Sequence, residues 1–448
     1  MDALPTFLSH LLRHLPSQAE IVEWFRHIPP LLAVSGGILF WLALARAFRW
    51  RRYNAMHRKY GPKWSNGKGI ITPEEAQDIM SVSTRYDMPM LLNYALAFAL
   101  FKTYGIPSIS KLLASTKELK SKETVSKRYA DTELLIATWV GCPISGFLDA
   151  SMSVTNNGPN PKPADDPRAM LALARTNWLH SKYRISNEDY LYTLSLFILE
   201  PGNWAKRFGW RKLSPLEEHA YYVFWVEIGN RMGIRDIPDT LEELINWSKD
   251  YEESYMVPAD TNKEVAGSTV EELISFVPET FGVKALSRRI VVCLMEDPVR
   301  ESMLYPEQPW LLRKSLDAGM GLAAFVQRWF LLPRSREKFP IVTKLPKVDD
   351  KVGCPRLHPT KYTYRPWYRP EPMSAFGVLR EKLLLKLGVY SEMPGPHLKS
   401  SGYRLEEMGP LRFENDGHEE IMRRAAELQG CPIAGPWSME GRKQQELI

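Results

Sequence analysis

Histidine is scarce in this sequence, nine in 448 residues, and cysteine is scarcer still at four. Cys142, Cys293, Cys354 and Cys431 lie far apart with no CxxC spacing. That argues against a zinc ribbon or a disulfide framework and points to a reducing compartment. There is no HExxH, no pair of ExxH helices, no glycine-rich phosphate loop and no GxSxG. Hydrolase, kinase and nicotinamide-enzyme readings therefore have no support. Charge of one sign is lacking as well. The net charge is only +6, and the basic residues are spread along the chain instead of forming a stripe, so nucleic acid is not an expected partner. With 44% hydrophobic and 25% charged residues, the composition excludes a wholly disordered or fibrous protein. Length alone suggests two domains, and 11% aromatic residues suit a large core or an apolar cavity.

Long apolar runs are missing except for one. Residues Ile28 to Ala45 (IPPLLAVSGGILFWLALA) carry no charge over 18 positions. As a helix they would span roughly 27 Å, about the hydrocarbon thickness of an endoplasmic reticulum bilayer. Arg46, Arg49, Arg51, Arg52, Arg58 and Lys59 follow the run, whereas Arg13 and Arg26 precede it among Asp2, Glu20 and Glu23. Basic flanks stay cytoplasmic, which predicts residues 1–27 in the lumen and everything after the span in the cytosol. A cleaved signal peptide fits poorly, because the basic residues follow the run. A buried core helix is the alternative, since 18 residues is the lower limit for a span.

After a basic linker at 46–69 the sequence reads as helices with marked start signals. Thr72-Pro73-Glu74-Glu75 and Ser214-Pro215-Leu216-Glu217 each set a capping hydroxyl before Pro at the first helical position and Glu at the third. Asp166-Pro167, Ser186 with Asp189, and Asp239 with Glu242 read as three further starts. The segments they open, 74–82, 167–184, 187–200, 215–232 and 240–254, have a period near 3.6, and no long stretch alternates with period two. Further helices are expected at 88–102, 124–140, 270–297 and 314–332. This predicts an all-α domain over residues 70–335. The remainder, 336–448, is proline-rich, with 12 of the 34 prolines falling in 340–448. Its one clear helical segment, 374–390, is amphipathic, and either a membrane surface or the helical domain could receive it, as for Tyr362–Tyr368.

Only His180 and His219 fall inside the helical domain. Stepping by three and four places Met170, Leu173, Asn177, His180 and Arg184 on one stripe. An imidazole there could ligate a metal from within a bundle, and the neighbouring guanidinium would suit a carboxylate. A lone helix histidine is more often structural, and both readings stand. His219 follows Glu217, which the capping box already explains, so a metal site built from that pair has little behind it. In KRYADTELLIATW (127–139), Arg128, Asp131 or Thr132, Leu135 and Trp139 share another stripe. An inward Arg and Thr need hydrogen-bond partners; the alternative is an exposed first turn.

Several longer motifs carry a resemblance: RTNWLHSKYR (175–184), LLASTKELKSKETVSKRYADT (112–132), YLYTLSLFILEP (190–201) and SKDYEESYMVP (248–258). Together they resemble the fungal ER-bound oxygenases of mycophenolic acid biosynthesis (mpaB type) over about residues 25–430. The helical domain is more distantly similar to the rubber oxygenase (latex clearing protein) catalytic domain. The resemblance implies a b-type haem inside the bundle, O2 as co-substrate, and His180 as the iron's axial ligand. Arg128 and Thr132 match distal-side positions, and Arg184 matches an arginine near a haem propionate. One departure is Asp131, which stands where the rubber enzymes carry a lysine able to bind the iron. A carboxylate there could relay a proton but is a poor copy of a neutral amine. The implied reaction is oxidative scission of an isoprenoid C=C bond in the farnesyl side chain of a lipophilic intermediate, with the anchor holding the pocket at the reticulum membrane. Alternatives are a related haem oxygenase acting on another terpenoid or polyketide, and a non-catalytic membrane haem carrier or pathway scaffold.

Overall fold

A computed structural model describes residues 29–67, 69–119, 121–148, 165–346, 356–433 and 435–440. The expected lumenal segment 1–27 lies outside the described residues. Among them no strand occurs, only two isolated β-bridges, so the architecture is all-α as expected. The helices, in chain order, are α1 (Pro30–Arg49), α2 (Arg51–Trp64), α3 (Pro73–Ser81), α4 (Pro89–Thr103), α5 (Pro107–Ser115), α6 (Lys122–Gly141), α7 (Arg168–His180) and α8 (Asn187–Phe208). Then come α9 (Pro215–Arg231), α10 (Leu241–Tyr255), α11 (Asp260–Leu273), α12 (Val283–Leu294), α13 (Asp297–Ser302), α14 (Trp310–Trp329), α15 (Ala375–Lys386) and α16 (His418–Gln429).

α1 is the one helix among the described residues long and apolar enough to cross a membrane, and its apolar window is almost wholly exposed. The Ser35 hydroxyl donates to the Leu31 carbonyl, so this polar side chain is satisfied within the helix. The expected linker is instead helical through Trp64. Met56 and Tyr60, one turn apart, are buried in the main core, and the Tyr60 hydroxyl donates to Asp78 at 2.5 Å.

Capping boxes at Thr72 and Ser214 and the Ser186 cap form as the sequence predicts. Asp166-Pro167 opens α7 as expected, the Asp166 carboxylate accepting from the Arg168 amide at 3.4 Å and from its guanidinium at 2.8 Å. One start signal is corrected. The cap of α10 is Thr240, one residue beyond Asp239. α8 runs past Pro201 to Phe208, because burial of Trp204, Ala205 and Phe208 offsets the lost backbone bond. The expected helix at 270–297 is broken into α11, α12 and the start of α13, with Phe281 at φ 54° and Gly282 at φ 71° in the break.

The core is laid down by α8 against α4 and α9, α9 against α3, and α6 and α16 against α7. The proline-rich tail packs into this same core rather than standing apart: Trp367, Tyr368, Leu398, Tyr403, Leu405, Met408 and Ile421 are buried in it. Two buried arginines of α7 hold it there. Arg168 donates to the Val342 and Thr343 carbonyls, and Arg175 to those of Met408, Phe413 and Asp416, at 2.7–3.0 Å. Each bond satisfies a carbonyl in a segment with no ladder of its own.

Candidate active site

Helices α4 to α9, with tail residues 338–340 and 409–412, enclose most of a cavity of about 730 Å3, inside the usual range for small-molecule sites. Its wall is largely apolar, with Leu92, Leu96, Leu135, Leu194, Phe197 and Ile228 among the contributors.

His180 closes α7 and lines the cavity. Its Nδ1 is buried and has no hydrogen-bond partner among the described residues. Burial, and then the Arg128 cation, pull its pKa down to about 4. The ring is therefore neutral at cellular pH, with a lone pair free to bind a metal. Tyr190 lies beside it, ring centroids 5.6 Å apart, and burial pushes that hydroxyl up to about 12.

Across from α7, the α6 stripe faces the cavity as its spacing predicts: Arg128, Thr132, Leu135 and Trp139 all line it. Neither the Arg128 guanidinium nor the Thr132 hydroxyl hydrogen-bonds to another described residue. Trp139 and Trp225, whose rings meet edge-on at 6.4 Å, each bury an unpartnered indole N–H in the same wall. Sequence reasoning missed Trp225 and Tyr190: Trp225 looks like an ordinary core aromatic until its indole N–H is found without a partner among the described residues, and Tyr190 until its ring is seen beside His180.

Asp131 lines the cavity too, but it is hydrogen-bonded within the protein. Its carboxylate accepts from Tyr368 Oη at 2.5 Å, Lys127 Nζ at 2.6 Å and the Gly409 amide at 2.9 Å. Both oxygens are thus engaged, and burial together with Asp131 raises the Tyr368 pKa, keeping it a donor. Gly409 has φ 106° and a Cβ there would stand 2.7 Å from Leu179, so only glycine brings the tail this close to the end of α7. Arg184 is not brought to the cavity. α7 ends at His180, the chain turns through Ser181–Tyr183, and Arg184 is exposed. The shared His180–Arg184 helix face is thereby corrected. Glu217 is taken up by its capping box and by both terminal nitrogens of Arg211, 2.7–2.8 Å away, and His219 packs beside Trp64 and Tyr222.

No three His, Cys, Asp or Glu side chains among the described residues come together as a ligand set. A bare iron ion would find too few donors at His180. A haem brings four nitrogens of its own and asks the protein for an axial imidazole and an apolar pocket, which these residues fit.

The family described as "ER-bound oxygenase mpaB/B'/Rubber oxygenase, catalytic domain" matches residues 173–337, a segment that includes His180. ER-bound oxygenase mpaB' of Penicillium brevicompactum is 31% identical over 451 residues, covering 95% of this chain and 97% of that protein. The chain belongs to the mpaB/B' oxygenase family. ER-bound oxygenase mpaB of Penicillium roqueforti (strain FM164) is 34% identical over 63% of this chain and 93% of its own length. ER-bound oxygenase mpaB of P. brevicompactum is 35% identical over 61% of this chain and 66% of its own. Family membership makes the chain an oxidoreductase, and with α1 it makes it a membrane-associated one.

Proposed function

We propose that this oxygenase holds haem b through His180 and oxidatively cleaves an isoprenoid C=C bond in the prenyl side chain of a meroterpenoid. The observation that carries the reading is the neutral His180, with a buried unpartnered nitrogen, in the wall of a large apolar cavity. Bound haem would supply the iron that activates O2 for the cleavage. Cleavage of C=C to two C=O groups consumes one O2, each oxygen atom ending in one carbonyl, so the reaction balances without an outside reductant.

The chain's own residues divide the remaining work. His180 supplies the axial nitrogen, and its low pKa keeps that nitrogen unprotonated. Arg128 and Thr132, without hydrogen-bond partners among the described residues, would offer a cation and a hydroxyl donor to oxygen as it becomes negatively charged. The apolar wall takes up the prenyl chain and excludes water, and Trp139 and Trp225 offer N–H donors to a polar head. Asp131, with both oxygens occupied, positions the tail loop that closes the cavity. Arg184, exposed, supports a propionate contact least of these residues.

Membrane topology is part of the proposal: the span near 28–45 sets the amino terminus in the lumen and the catalytic domain in the cytosol. Prenylated substrates partition into the bilayer, which brings them to the domain. Two experiments test the reading. Turnover of a farnesylated arene under 18O2 should place one label in each carbonyl product; unlabelled carbonyls would refute the cleavage. Protease added to intact microsomes should digest a carboxy-terminal tag, and a protected tag would refute the orientation.

A further inference from the structure

α14 packs Met320 and Ala324 against the core and makes polar contacts with its neighbours: Arg313 to Asp297 at 2.7 Å, Arg207 to Asp317 at 3.4 Å, and the Gln327 amide to the Asp87 carbonyl at 3.0 Å. Its outward side carries Leu322, Phe325, Val326, Trp329 and Phe330 at the i, i+3, i+4, i+7, i+8 spacing of one helix face, between 36% and 63% exposed. Leu331 and Leu332 continue the patch. Single exposed apolar residues are normal on any surface; an unbroken stripe marks a contact.

What lies against the stripe is indicated by its neighbour. The end of α14 is joined to the end of α1: the Trp41 indole donates to the Phe330 carbonyl at 2.7 Å, Arg49 donates to the Leu331 carbonyl, and Arg46 lies 4.8 Å over the Trp329 ring. Trp41 to Arg49 is where the apolar run of α1 gives way to its basic flank, the level of the headgroups. Trp329 and Phe330 are therefore continuous with the surface that α1 presents to lipid, and tryptophan at that level is the residue the interface favours.

We infer that the outer face of α14, Leu322 to Leu332, is a second membrane contact that lies in the bilayer interface beside α1. The two contacts together fix how the domain sits on the membrane, which one spanning helix alone leaves free to swivel. Lys338 to Pro340, which line the cavity, begin six residues beyond Leu332. This inference rests on membrane association and not on the reaction.

Spin labels test it. Leu322→Cys, Phe325→Cys and, as a control at an exposed position of α10, Glu253→Cys are each made in the full chain carrying Cys354→Ser and Cys431→Ser, then reconstituted in phosphatidylcholine–phosphatidylserine vesicles. Nitroxides at 322 and 325 should collide severalfold more often with O2 than with a water-soluble nickel chelate, and the label at 253 should show the reverse. Nickel-dominated relaxation at 322 and 325 would put the face in water. Low collision rates with both reagents would mean that protein, such as a second copy, covers it; either result overturns the inference. Native Trp329 gives a reading that needs no added cysteine. Vesicles of brominated phosphatidylcholine should quench fluorescence that Trp329→Phe removes, and equal quenching in the two proteins would overturn the lipid contact.

Discussion

The Arg211 cluster and the cavity wall both hold polar groups inside the helical domain, yet they are built on opposite rules. Between α3 and α9, Arg211 donates to Asp87 at 2.7–2.8 Å and to both Glu217 oxygens, and Glu217 also accepts from the Ser214 amide. Every charge there is answered by protein. In the cavity wall, Arg128, Thr132, His180, Trp139 and Trp225 have polar atoms that no described residue answers. Burying a polar group without a partner costs stability, so the unpartnered atoms of His180, Trp139 and Trp225 support the proposed ligand site. The first region holds the fold, and the second is the proposed site.

Breaking the answered region should therefore cost most in stability. Arg211→Ala leaves two buried carboxylates uncompensated and should lower the unfolding free energy by about 3–5 kcal/mol, read from denaturant melts. A loss under 1 kcal/mol would mean that the cluster is not structural.

Changes in the unanswered region should spare the fold and strike turnover. Arg128→Ala and Thr132→Ala remove groups without hydrogen-bond partners among the described residues, so stability should shift by less than about 1 kcal/mol. Turnover should fall about tenfold or more, while haem content per chain stays near wild type. Parallel loss of haem and activity in either variant would remove the distal assignment.

A further expected effect is one of pH. His180 is held near 4 in the fold, against an ordinary value of 6.5. Between those values the unfolded chain binds more protons than the native one, so stability is complete above about 6.5 and is lost as pH falls toward 4. Without haem, wild type should lose more Tm over that window than His180→Gln. Equal slopes would show that the imidazole is not desolvated.

Much of this division was legible in the sequence, and the reasons it was not wholly so are physical. Thr72, Ser186 and Ser214 announced their helices because capping is a contact across three residues. The α6 stripe was legible for the same reason, since helix spacing alone brings Arg128, Thr132, Leu135 and Trp139 to one side. The bonds of Asp131 to Tyr368 and Gly409 were not legible because these partners are more than 230 residues away, and periodicity carries no information across such distances. The exposure of Arg184 was not legible because the predicted helix ran four residues past the end of α7. That the Trp225 N–H lacks a partner is a property of the assembled core, and no local pattern encodes it.

The central claim is that His180 binds the iron, and the absorption spectrum of the purified His180→Ala protein tests it most directly. The haem band and double-bond cleavage should both disappear while helical circular dichroism stays near wild type, and His219→Ala should keep the band and most of the activity. A wild-type haem band in His180→Ala would contradict the account.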